Sequence, residues 1–276
     1  MTDTITFTDF TAAHLPAAAV LSQAEGWPHR VEDWGLGLSL GRGVAAMAGD
    51  RLVGTALVTP FGDVATVNMI IVASDQRGKG LGRAVMSRAM ALAAPRAWRL
   101  VATEDGLPLY RKLGFVETGT ILQHQAPLPE EPVGVDADRA VAADAPEIAR
   151  LDRVATGMAR DALVAALLGA GEVAVLRDGA RITAYAATRP FGRGAVVGPV
   201  VAADADAARR LISALLIGRR GSFTRIDTPA DSGLAPWIAG LGLPEVGSGI
   251  AMRLGPPASP AAGGPRSFAL ASQALG

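Results

Sequence analysis

Hydrophobic and polar residues follow two recurring patterns along residues 1–122 of this chain. Alternation with a period of two predicts strands, and apolar residues spaced three or four apart predict helices. The predicted order is a strand at 4–10, a helix that begins at Thr11 and ends near Glu25, a short helix at 31–41, strands at 44–47, 51–59 and 64–72, a helix at 80–93, a strand at 98–103, a short helix at 107–113 and a strand from 115. Gly35 and Gly37 weaken the second helix, because glycine lowers helix propensity. The pattern predicts a mixed α/β fold.

The same series starts again in the second half of the chain. A strand is predicted near 139–141, helices at 144–155 and 160–168, and then strands, a helix, a strand, a helix and a last strand that ends near Arg253. Residues 126–137, rich in proline and acidic residues, are predicted to link the halves. Residues 255–276 are rich in proline, glycine and alanine, which predicts a disordered or loosely docked tail. The predicted units are therefore 1–125 and 138–254.

An ungapped shift indicates that the two halves are repeats of one domain. Moving the chain by 130 positions places Pro60-Phe61-Gly62 on Pro190-Phe191-Gly192. A shift of 128 places Leu113-Gly114-Phe115 on Leu241-Gly242-Leu243. Chance similarity between halves rich in alanine, valine and glycine is the alternative, but two separate anchors favour duplication.

Composition argues against several classes of function. Lys+Arg and Asp+Glu number 26 each in the 276-residue chain, without a clustered basic stretch, which argues against a nucleic-acid-binding face. The absence of cysteine removes disulfides, thiolate metal sites and a cysteine nucleophile, and His14, His29 and His124 lack metal-ligand spacing. The N-terminus does not resemble a signal peptide, and no apolar run is long enough to span a bilayer. We therefore expect a soluble cytoplasmic protein that needs no metal and binds neither nucleic acid nor membrane.

One glycine-rich loop carries the clearest chemical signal in the sequence. It follows the apolar strand 64–72 and opens an apolar helix at Leu81. Its glycines and basic residues are Arg77, Gly78, Lys79, Gly80, Gly82 and Arg83. Glycines leave backbone N–H groups accessible at a helix N-terminus, where the helix dipole and the basic side chains favour an anion. This arrangement suits a diphosphate.

Three diphosphate-binding motifs have to be distinguished. A P-loop needs Ser or Thr after its lysine, and Lys79 is followed by Gly80. A dinucleotide-binding fold needs Gly-x-Gly-x-x-Gly after its first strand, whereas this loop has Gly-x-Gly-x-Gly after a later one. The remaining pattern is Gln/Arg-x-x-Gly-x-Gly/Ala, which Arg77, Gly80 and Gly82 satisfy. With this motif the sequence resembles the GNAT superfamily of N-acetyltransferases; a glycine-rich turn without a ligand is the alternative.

The resemblance continues through residues 109–115, Leu-Tyr-Arg-Lys-Leu-Gly-Phe, followed by Glu117 and Gly119. It implies that acetyl-CoA is the cosubstrate and that Tyr110 lies near the cofactor sulfur, where the family's tyrosine often protonates the departing thiolate. A tyrosine that only packs its helix is the alternative. The residues that the resemblance assigns to the cofactor are Ile70, Ile71, Val72, Arg77, Gly78, Lys79, Gly80, Leu81, Gly82 and Arg83.

The resemblance also implies the architecture. Each half should be a mostly antiparallel twisted sheet flanked by helices, so that the chain forms two tandem GNAT-like domains. Strand 64–72 should splay from strand 98–103 and leave a slot in which pantetheine pairs with backbone groups near Ile70 and Val72.

The second half lacks both motifs. Under the 130-residue shift the loop falls on Ala207-Ala-Arg-Arg-Leu-Ile212, in which no glycine remains. No tyrosine stands near Leu241 in the place of Tyr110, and Pro199 removes a backbone donor from the equivalent strand. The second half resembles the degenerate domains of tandem GNAT proteins. We expect it to bind no coenzyme A and to help enclose the acceptor site.

The group that removes the proton of an acceptor ammonium is not obvious from the sequence. Glu25, at the end of the first helix, is the main candidate for this general base, and His29 is another. The alternative for Glu25 is a solvated carboxylate at a helix end without a catalytic role. The alternative for His29 is a surface histidine. Asn68 lies where some GNAT enzymes carry a carboxylate, and it could act only through a water relay.

Several other residues are candidates for binding the acceptor, and each also has a structural interpretation. For Trp27 and Trp34, the functional interpretation is that they line the acceptor cleft, and the structural one is that they pack in the core. Thr103 and Glu104 touch a ligand or cap the next helix. Asp227 faces the shared cleft and attracts a cationic amine, or it caps a turn. The residues assigned to acceptor binding are Trp27, Asn68, Thr103 and Asp227.

Three functions remain open from the sequence. The leading one is acetyl transfer from acetyl-CoA to a primary amine of a small molecule or to an exposed protein amine. The second is a non-catalytic module that binds acyl-CoA and responds to it, and the third is O-acyl or longer-chain acyl transfer on the same fold. The presence of Tyr110 favours catalysis, whereas the lack of an obvious base favours the module. The oligomeric state stays open.

Overall fold

The computed structural model describes residues 4–133, 136–257 and 263–276. Its strands are β1 (Ile5–Asp9), β2 (Arg42–Ala48), β3 (Arg51–Phe61), β4 (Val64–Val72), β5 (Ala97–Ala102), β6 (Val116–Pro127), β7 (Asp138–Arg139), β8 (Glu172–Asp178), β9 (Arg181–Phe191), β10 (Gly194–Ala202), β11 (Phe223–Pro229), β12 (Glu245–Leu254) and β13 (Arg266–Ala269). Its α-helices are α1 (Leu15–Ala24), α2 (Val31–Leu40), α3 (Leu81–Met90), α4 (Leu107–Lys112), α5 (Ala145–Thr156), α6 (Asp161–Ala170), α7 (Ala205–Leu216) and α8 (Ala235–Gly240). The predicted order of elements is confirmed, including α2 with its two glycines. The sequence did not predict β13.

The internal repeat is visible in the spacing of the strands. The three strands β2, β3 and β4 recur with the same lengths as β8, β9 and β10, each beginning 130 residues later. The halves diverge after that point, because α3 begins only after the glycine-rich loop whereas α7 follows β10 almost directly. Asp204 caps α7 by accepting a hydrogen bond from Ala207 N at 2.8 Å. The loop is therefore a feature of the first half alone.

All the strands join one mixed sheet, and the last strand of each half lies beside strands of the other half. The strand order is β1-β2-β3-β4-β5-β12-β6-β11-β10-β9-β8-β7, and β13 pairs with β10. β12 inserts between β5 and β6, and β6 pairs with β11. The predicted mixed α/β fold is confirmed. The two sequence repeats are nevertheless joined through exchanged strands, which the sequence pattern does not reveal.

The parallel pairs at the middle of each half open into a slot. β4 pairs with β5 only over the three positions from Val64 to Thr66, and β10 pairs with β11 only at Ala195 and Val196. Opposite β3, the register of β4 shifts beyond Asn68, where Met69 has a φ of 50°. Such a bulge bends a strand away from its neighbour. The predicted splaying of strand 64–72 is confirmed.

The tail is docked, which corrects the expectation of a disordered or loosely docked segment for the part that the structure describes. In antiparallel pairing with β10, Val200 lies opposite Ala269 and Ala202 opposite Arg266. Phe268 is fully buried in the core of the second half. The composition of the segment suggested disorder, but β10 offers unpaired backbone groups that a short apolar strand can satisfy. The prediction for residues 258–262 lies outside the described residues.

A buried ion pair holds the end of the tail. Arg160 donates from Nε and Nη2 to the carboxylate of Asp152 at 2.8 and 2.5 Å, and both side chains are buried. Arg160 also donates to the carbonyl oxygens of Leu275 and Gly276. Tyr185, the other tyrosine of the chain, donates to Asp152 at 2.5 Å. Residues 270–276 are therefore fixed against the second half.

The predicted linker is shorter than its composition suggested. β6 extends to Pro127, and Leu128 is fully buried in the core of the second half. Leu128 also exchanges backbone hydrogen bonds with Ser222 and Gly221. An apolar side chain at this position packs rather than remaining in solvent. Residues 134–135 of the predicted linker lie outside the described residues, and the domain bounds 1–125 and 138–254 stay a prediction.

Candidate active site

The slot between β4 and β5 forms a cavity of about 740 Å³ at the glycine-rich loop. We call it the cofactor cavity. Of the ten residues assigned to the cofactor, nine line it: Ile70, Ile71, Val72, Arg77, Gly78, Gly80, Leu81, Gly82 and Arg83. Lys79 does not, because its Nζ donates to Asp75 O at 2.9 Å and to Gln76 Oε1 at 3.2 Å within its own loop.

The loop places accessible backbone at the start of α3. Gly80 is the residue before the helix and has a left-handed conformation, with a φ of +80°. Nothing lies within 4 Å of the position that its Cβ would occupy, so the backbone there is open to the cavity. The free N–H groups at the N-terminus of α3 and the guanidinium groups of Arg77 and Arg83 make this end of the cavity suitable for an anion.

Glu25 also lines the cofactor cavity, where it forms an ion pair with Arg77. The carboxylate therefore competes with an anionic ligand for this arginine. Glu25 lies at the end of the cofactor cavity that the glycine-rich loop forms, and it does not line the second cavity described below.

Tyr110 lies where the cofactor cavity meets a second cavity. Its side chain packs edge-on against Phe115, with ring centroids 6.2 Å apart. Burial raises the pKa of the Tyr110 phenol to about 12. Gly106 leaves room for this ring, since a Cβ there would lie 2.8 Å from Tyr110 Cε2. At neutral pH Tyr110 is therefore protonated and able to donate.

The second cavity, of about 300 Å³, is enclosed by both halves and by the tail. We call it the acceptor cavity. It shares Trp27, Ile70, Thr103 and Tyr110 with the cofactor cavity. The second half adds Phe191, Arg193, Arg225 and Ser248, β6 adds Gln123 and Gln125, and the tail adds Ser272 and Gln273. The two cavities thus meet at Tyr110.

The structure brings three of the four residues assigned to acceptor binding together here. Trp27, Asn68 and Thr103 line the acceptor cavity. Asn68 donates from Nδ2 to the hydroxyls of Thr59 and Thr66 at 3.1 and 3.0 Å. The hydroxyl of Thr103 also accepts from Gly106 N at 3.3 Å, so this residue caps a turn as well as lining the cavity.

Asp227 does not reach the cavity, which corrects the expectation that it faces the cleft. It is fully buried, and Arg225 Nε donates to both of its carboxylate oxygens at 2.9 and 3.1 Å. A buried carboxylate needs such a partner, because its desolvation is otherwise unfavourable. Arg225, two residues earlier on the same face of β11, lines the cavity in its place.

Two further candidates lie elsewhere. Trp34 is fully buried, stacks on Phe10 with centroids 5.5 Å apart and donates from Nε1 to Ser22 at 3.2 Å, so it is a core residue. Glu104 is exposed and lines neither cavity.

His29 lies in the acceptor cavity as a neutral imidazole. Its ring packs against Trp27 and edge-on against Phe191, with centroids 5.7 and 5.3 Å away. Burial lowers the pKa of His29 to about 4, and the nearby positive charge of Arg225 contributes in the same direction. An imidazole with this pKa is a weak base for an alkylammonium, whose pKa is near 10.

This environment predicts a loss of stability in acid. Between pH 6.5 and about 4 the unfolded chain binds a proton at His29 that the folded chain does not, so lowering the pH favours unfolding. At pH 5 this contributes about 2 kcal/mol to the difference in unfolding free energy from pH 7.5. His29→Gln should reduce the pH dependence by that amount in urea unfolding. Equal changes between these pH values in both proteins would contradict the burial of a neutral His29.

The equivalent slot of the second half is filled by the tail. Between the diverging β10 and β11, β13 pairs with β10, while Leu270 N donates to Asp227 O at 2.9 Å and Thr228 Oγ1 donates to Phe268 O at 2.7 Å. A segment of the protein thus occupies the slot of the second half that corresponds to the slot between β4 and β5. The tail therefore leaves no room for a ligand in this slot, in addition to the absence of the loop glycines from the second half.

Sequence reasoning missed the polar residues that the second half and the tail bring to the acceptor cavity. Arg225 lies two positions from Asp227, and alternate residues of a strand share a face, so the signal for Arg225 was present. Phe191 belongs to the repeated Pro-Phe-Gly triplet. Gln273 carried no signal, because its segment was interpreted as a tail.

The described residues contain neither a group of metal-ligating side chains nor a helix that could span a membrane. Within residues 4–133, 136–257 and 263–276, no three His, Cys, Asp or Glu side chains group as metal ligands would. Among the helices in those ranges, none has the length and apolar character needed to cross a bilayer.

Comparisons with known proteins agree with the geometry in both halves. A family model described as "Acetyltransferase (GNAT) domain" matches residues 40–117, and a second model with this description matches residues 148–263. The chain is a tandem-domain GNAT protein. Membership makes it an acyltransferase with the N-acetyltransferase activity general to the family, which acts on amine acceptors.

Three relatives show how far this similarity extends. The chain is 26% identical over 229 residues to the "Uncharacterized N-acetyltransferase YitH" of Bacillus subtilis, covering 79% of this chain and 80% of that protein. A crystal structure of a putative acetyltransferase from Pyrococcus horikoshii matches with a TM-score of 0.82 at 19% identity, over 99% of this chain and 96% of that one. A "Tandem GNAT protein from the clavulanic acid biosynthesis pathway" matches with a TM-score of 0.63 at 16% identity, over 92% and 100%. At these identities the two structures support the fold alone.

Proposed function

We propose that this GNAT protein transfers the acetyl group of acetyl-CoA directly to a primary amine of a small molecule. The observation that carries the proposal is the junction of the two cavities at Tyr110, with the glycine-rich loop at the far end of the first. The acceptor cavity, at about 300 Å³, is at the small end of the range for ligand pockets. This size favours a small metabolite over a long peptide.

The cofactor cavity fits coenzyme A in its charge and its backbone. Arg77, Arg83 and the start of α3 would hold the pyrophosphate, and the free edge of β4 near Ile70 and Val72 would pair with the pantetheine amides. Acetyl-CoA supplies an activated acetyl carbon. Lys79 is directed into its own loop and belongs to the proposed site only through its positive charge.

The proposed reaction forms a bond between the amine nitrogen and the acetyl carbon and breaks the carbon–sulfur bond. The ammonium first loses one proton so that its lone pair is free, and the nitrogen loses a second as the amide forms. Tyr110 donates a proton to the sulfur and regains one from solvent, so the net reaction releases one proton. A backbone N–H at the β4 bulge would stabilise the oxyanion.

Three side chains are candidates for the group that removes the proton from the ammonium. Glu25 is a candidate base, although it is paired with Arg77. His29 is neutral but weak, and Asn68 could act only by ordering a water. Positive charge near the acceptor also lowers the pKa of a bound ammonium, so the arginines of the cavity favour the neutral amine.

Replacing Tyr110 by phenylalanine tests the proposed acid. Without the hydroxyl, kcat should fall by about 100-fold, while the dissociation constant for acetyl-CoA should change by less than about twofold. Steady-state kinetics on an amine panel and calorimetry give the two quantities. Tyr185→Phe is the matched control, because Tyr185 is buried against Asp152 and lines neither cavity. Unchanged turnover in Tyr110→Phe would assign the proton to water or another group.

The same panel separates transfer from binding alone. Acetylated product from any amine supports the proposed function. Tight binding of acetyl-CoA without turnover across a broad panel would instead favour the non-catalytic module. A preference for longer acyl-CoA would redirect the proposal toward another acyl group.

A further inference from the structure

Among the residues that the structure describes, those that line the acceptor cavity carry positive charge and include no carboxylate. Its charged lining residues are Arg193 and Arg225, and none of the lining residues is Asp or Glu. The only histidine in the lining, His29, is neutral at pH 7. A simple cationic amine would therefore meet no opposite charge in this cavity. The acceptor needs a second group that these arginines can bind.

Arg225 is held in one orientation for such a group. Its Nε donates to both oxygens of Asp227, which is fully buried and also accepts from Gln273 Nε2 at 3.4 Å. The guanidinium lies 5.4 Å from the centre of the Phe191 ring. With Nε occupied, the terminal nitrogens Nη1 and Nη2 have no protein partner within the described ranges. Two parallel N–H donors of this kind match the geometry of a carboxylate.

Arg193 supplies a positive charge that no carboxylate among the described residues cancels, unlike the charge of Arg225, which Asp227 neutralises. Arg225 and Asp227 together are neutral, so their pair offers directed donors but little net attraction. Arg193 is exposed, stacks over the Phe223 ring at 4.4 Å and has no carboxylate partner in the part of the chain that the structure describes. It leaves the cavity with a net positive charge. The two arginines therefore have distinct effects, orientation from Arg225 and attraction from Arg193.

The junction fixes which end of the acceptor faces these arginines. The amine has to lie near Tyr110 and Trp27, where the acceptor cavity opens into the cofactor cavity. Arg193 and Arg225 come from the second half and line the acceptor cavity only. A molecule bound with its amine at the junction would have its other end available to Arg225.

We propose that the acceptor is a small amine that also carries a carboxylate, as amino acids do, and that Arg225 is the specificity-determining residue that binds this carboxylate. The assignment rests on the proposed acetyl transfer. The glutamine and serine side chains of the cavity then contact the polar remainder of the molecule. This class replaces the cationic amine that Asp227 was expected to attract.

The test compares amino acids with their carboxamides, which keep the amine and lose the charge. The wild-type protein should acetylate the acids with a kcat/KM at least about tenfold above that of the matched amides. Calorimetric titration of each compound into the complex with coenzyme A should likewise show tighter binding of the acids than of the matched amides. This binding measurement does not depend on turnover, so it separates failure of the inference from failure of the proposed function.

The variant must not leave Asp227 unpaired in the core, because an isolated buried carboxylate would destabilise the fold. The double substitution Arg225→Gln with Asp227→Asn removes both charges together and leaves two neutral amide side chains in place of the ion pair. It should reduce the acid-to-amide ratio to near one and leave the dissociation constant for acetyl-CoA unchanged. Arg193→Gln, at an exposed position, should lower the ratio by a smaller factor that shrinks in high salt.

The outcomes are distinct. Amides that bind and react as well as the acids in the wild-type protein overturn the inference and leave the acetyl transfer standing. An acid preference that persists in the double variant overturns the role of Arg225. Acid-selective binding without any acetylated product supports carboxylate binding by Arg225 and contradicts the proposed acetyl transfer.

Discussion

Replacing Gly80 by glutamate should abolish coenzyme A binding, with at least about a 100-fold loss of affinity, or about 2.7 kcal/mol. Gly80 lines the cofactor cavity beside the start of α3. A carboxylate there would oppose the pyrophosphate by charge and occupy its space. The protein should still fold, because nothing lies within 4 Å of the Cβ position, and the left-handed backbone adds about 1 to 2 kcal/mol of strain.

Calorimetry measures this effect and the number of sites together. We expect one coenzyme A per wild-type chain, because the second half lacks the glycine loop and its slot holds β13. Gly179→Glu is the matched control, since Gly179 has a φ of +58°, lies in open space and belongs to the turn between β8 and β9. It adds the same charge and similar strain away from the cavity. Two equivalent sites per chain, or wild-type affinity in Gly80→Glu, would refute the assignment of the loop.

Replacing Phe268 by alanine should lower the free energy of unfolding by about 3 to 4 kcal/mol, as expected for the loss of a large, fully buried side chain. Phe268 is 0% exposed in the core of the second half, although it belongs to a segment whose composition suggests disorder. Loosening this strand should also raise the KM for the amine, because Ser272 and Gln273 follow it into the acceptor cavity. The affinity for acetyl-CoA should not change, since the tail does not line the cofactor cavity.

Urea unfolding and steady-state kinetics provide these measurements. Phe7→Ala is the matched control: Phe7 is a half-buried residue of the edge strand β1, covered by Arg88 with its Cζ 3.9 Å from the ring centre. The same loss of a phenyl ring should cost less there, because less apolar surface is buried. If Phe268→Ala were no more destabilising than Phe7→Ala, the tail would not be the docked strand that the structure shows.

The second slot gives the tail a physical explanation. Where β10 leaves β11, backbone N–H and C=O groups of both strands would lack partners without the tail, and such groups are unfavourable when buried without hydrogen bonds. In the first half, we propose, the corresponding groups are available to pantetheine. In the second half the tail supplies hydrogen-bond partners for these groups and places Gln273 in the lining of the acceptor cavity. The segment that fills the slot of the second half therefore also contributes to the lining of the acceptor cavity.

The elements and the glycine-rich loop could be predicted because their determinants are local. Alternation along β2, β3 and β4 specifies strands whatever their neighbours are, and its recurrence 130 residues later specifies the repeat. The glycines at 78, 80 and 82 indicate close approach to backbone through their own lack of a side chain. These features directed the prediction to acetyl-CoA and to Tyr110.

What only the tertiary structure decided are the contacts between distant segments. Strand alternation is the same whether β12 pairs with β5 or with β11, so the exchange of β6 and β12 leaves no trace in the local pattern. The docking of β13 depends on unpaired groups of β10, which no property of residues 255–276 reveals. Whether Arg225 or Asp227 faces the acceptor cavity depends on what packs beneath β11. The sequence determined the elements and directed the prediction to a diphosphate at the glycine-rich loop. Non-local packing decided the lining of the acceptor cavity, because its residues converge from both halves and the tail.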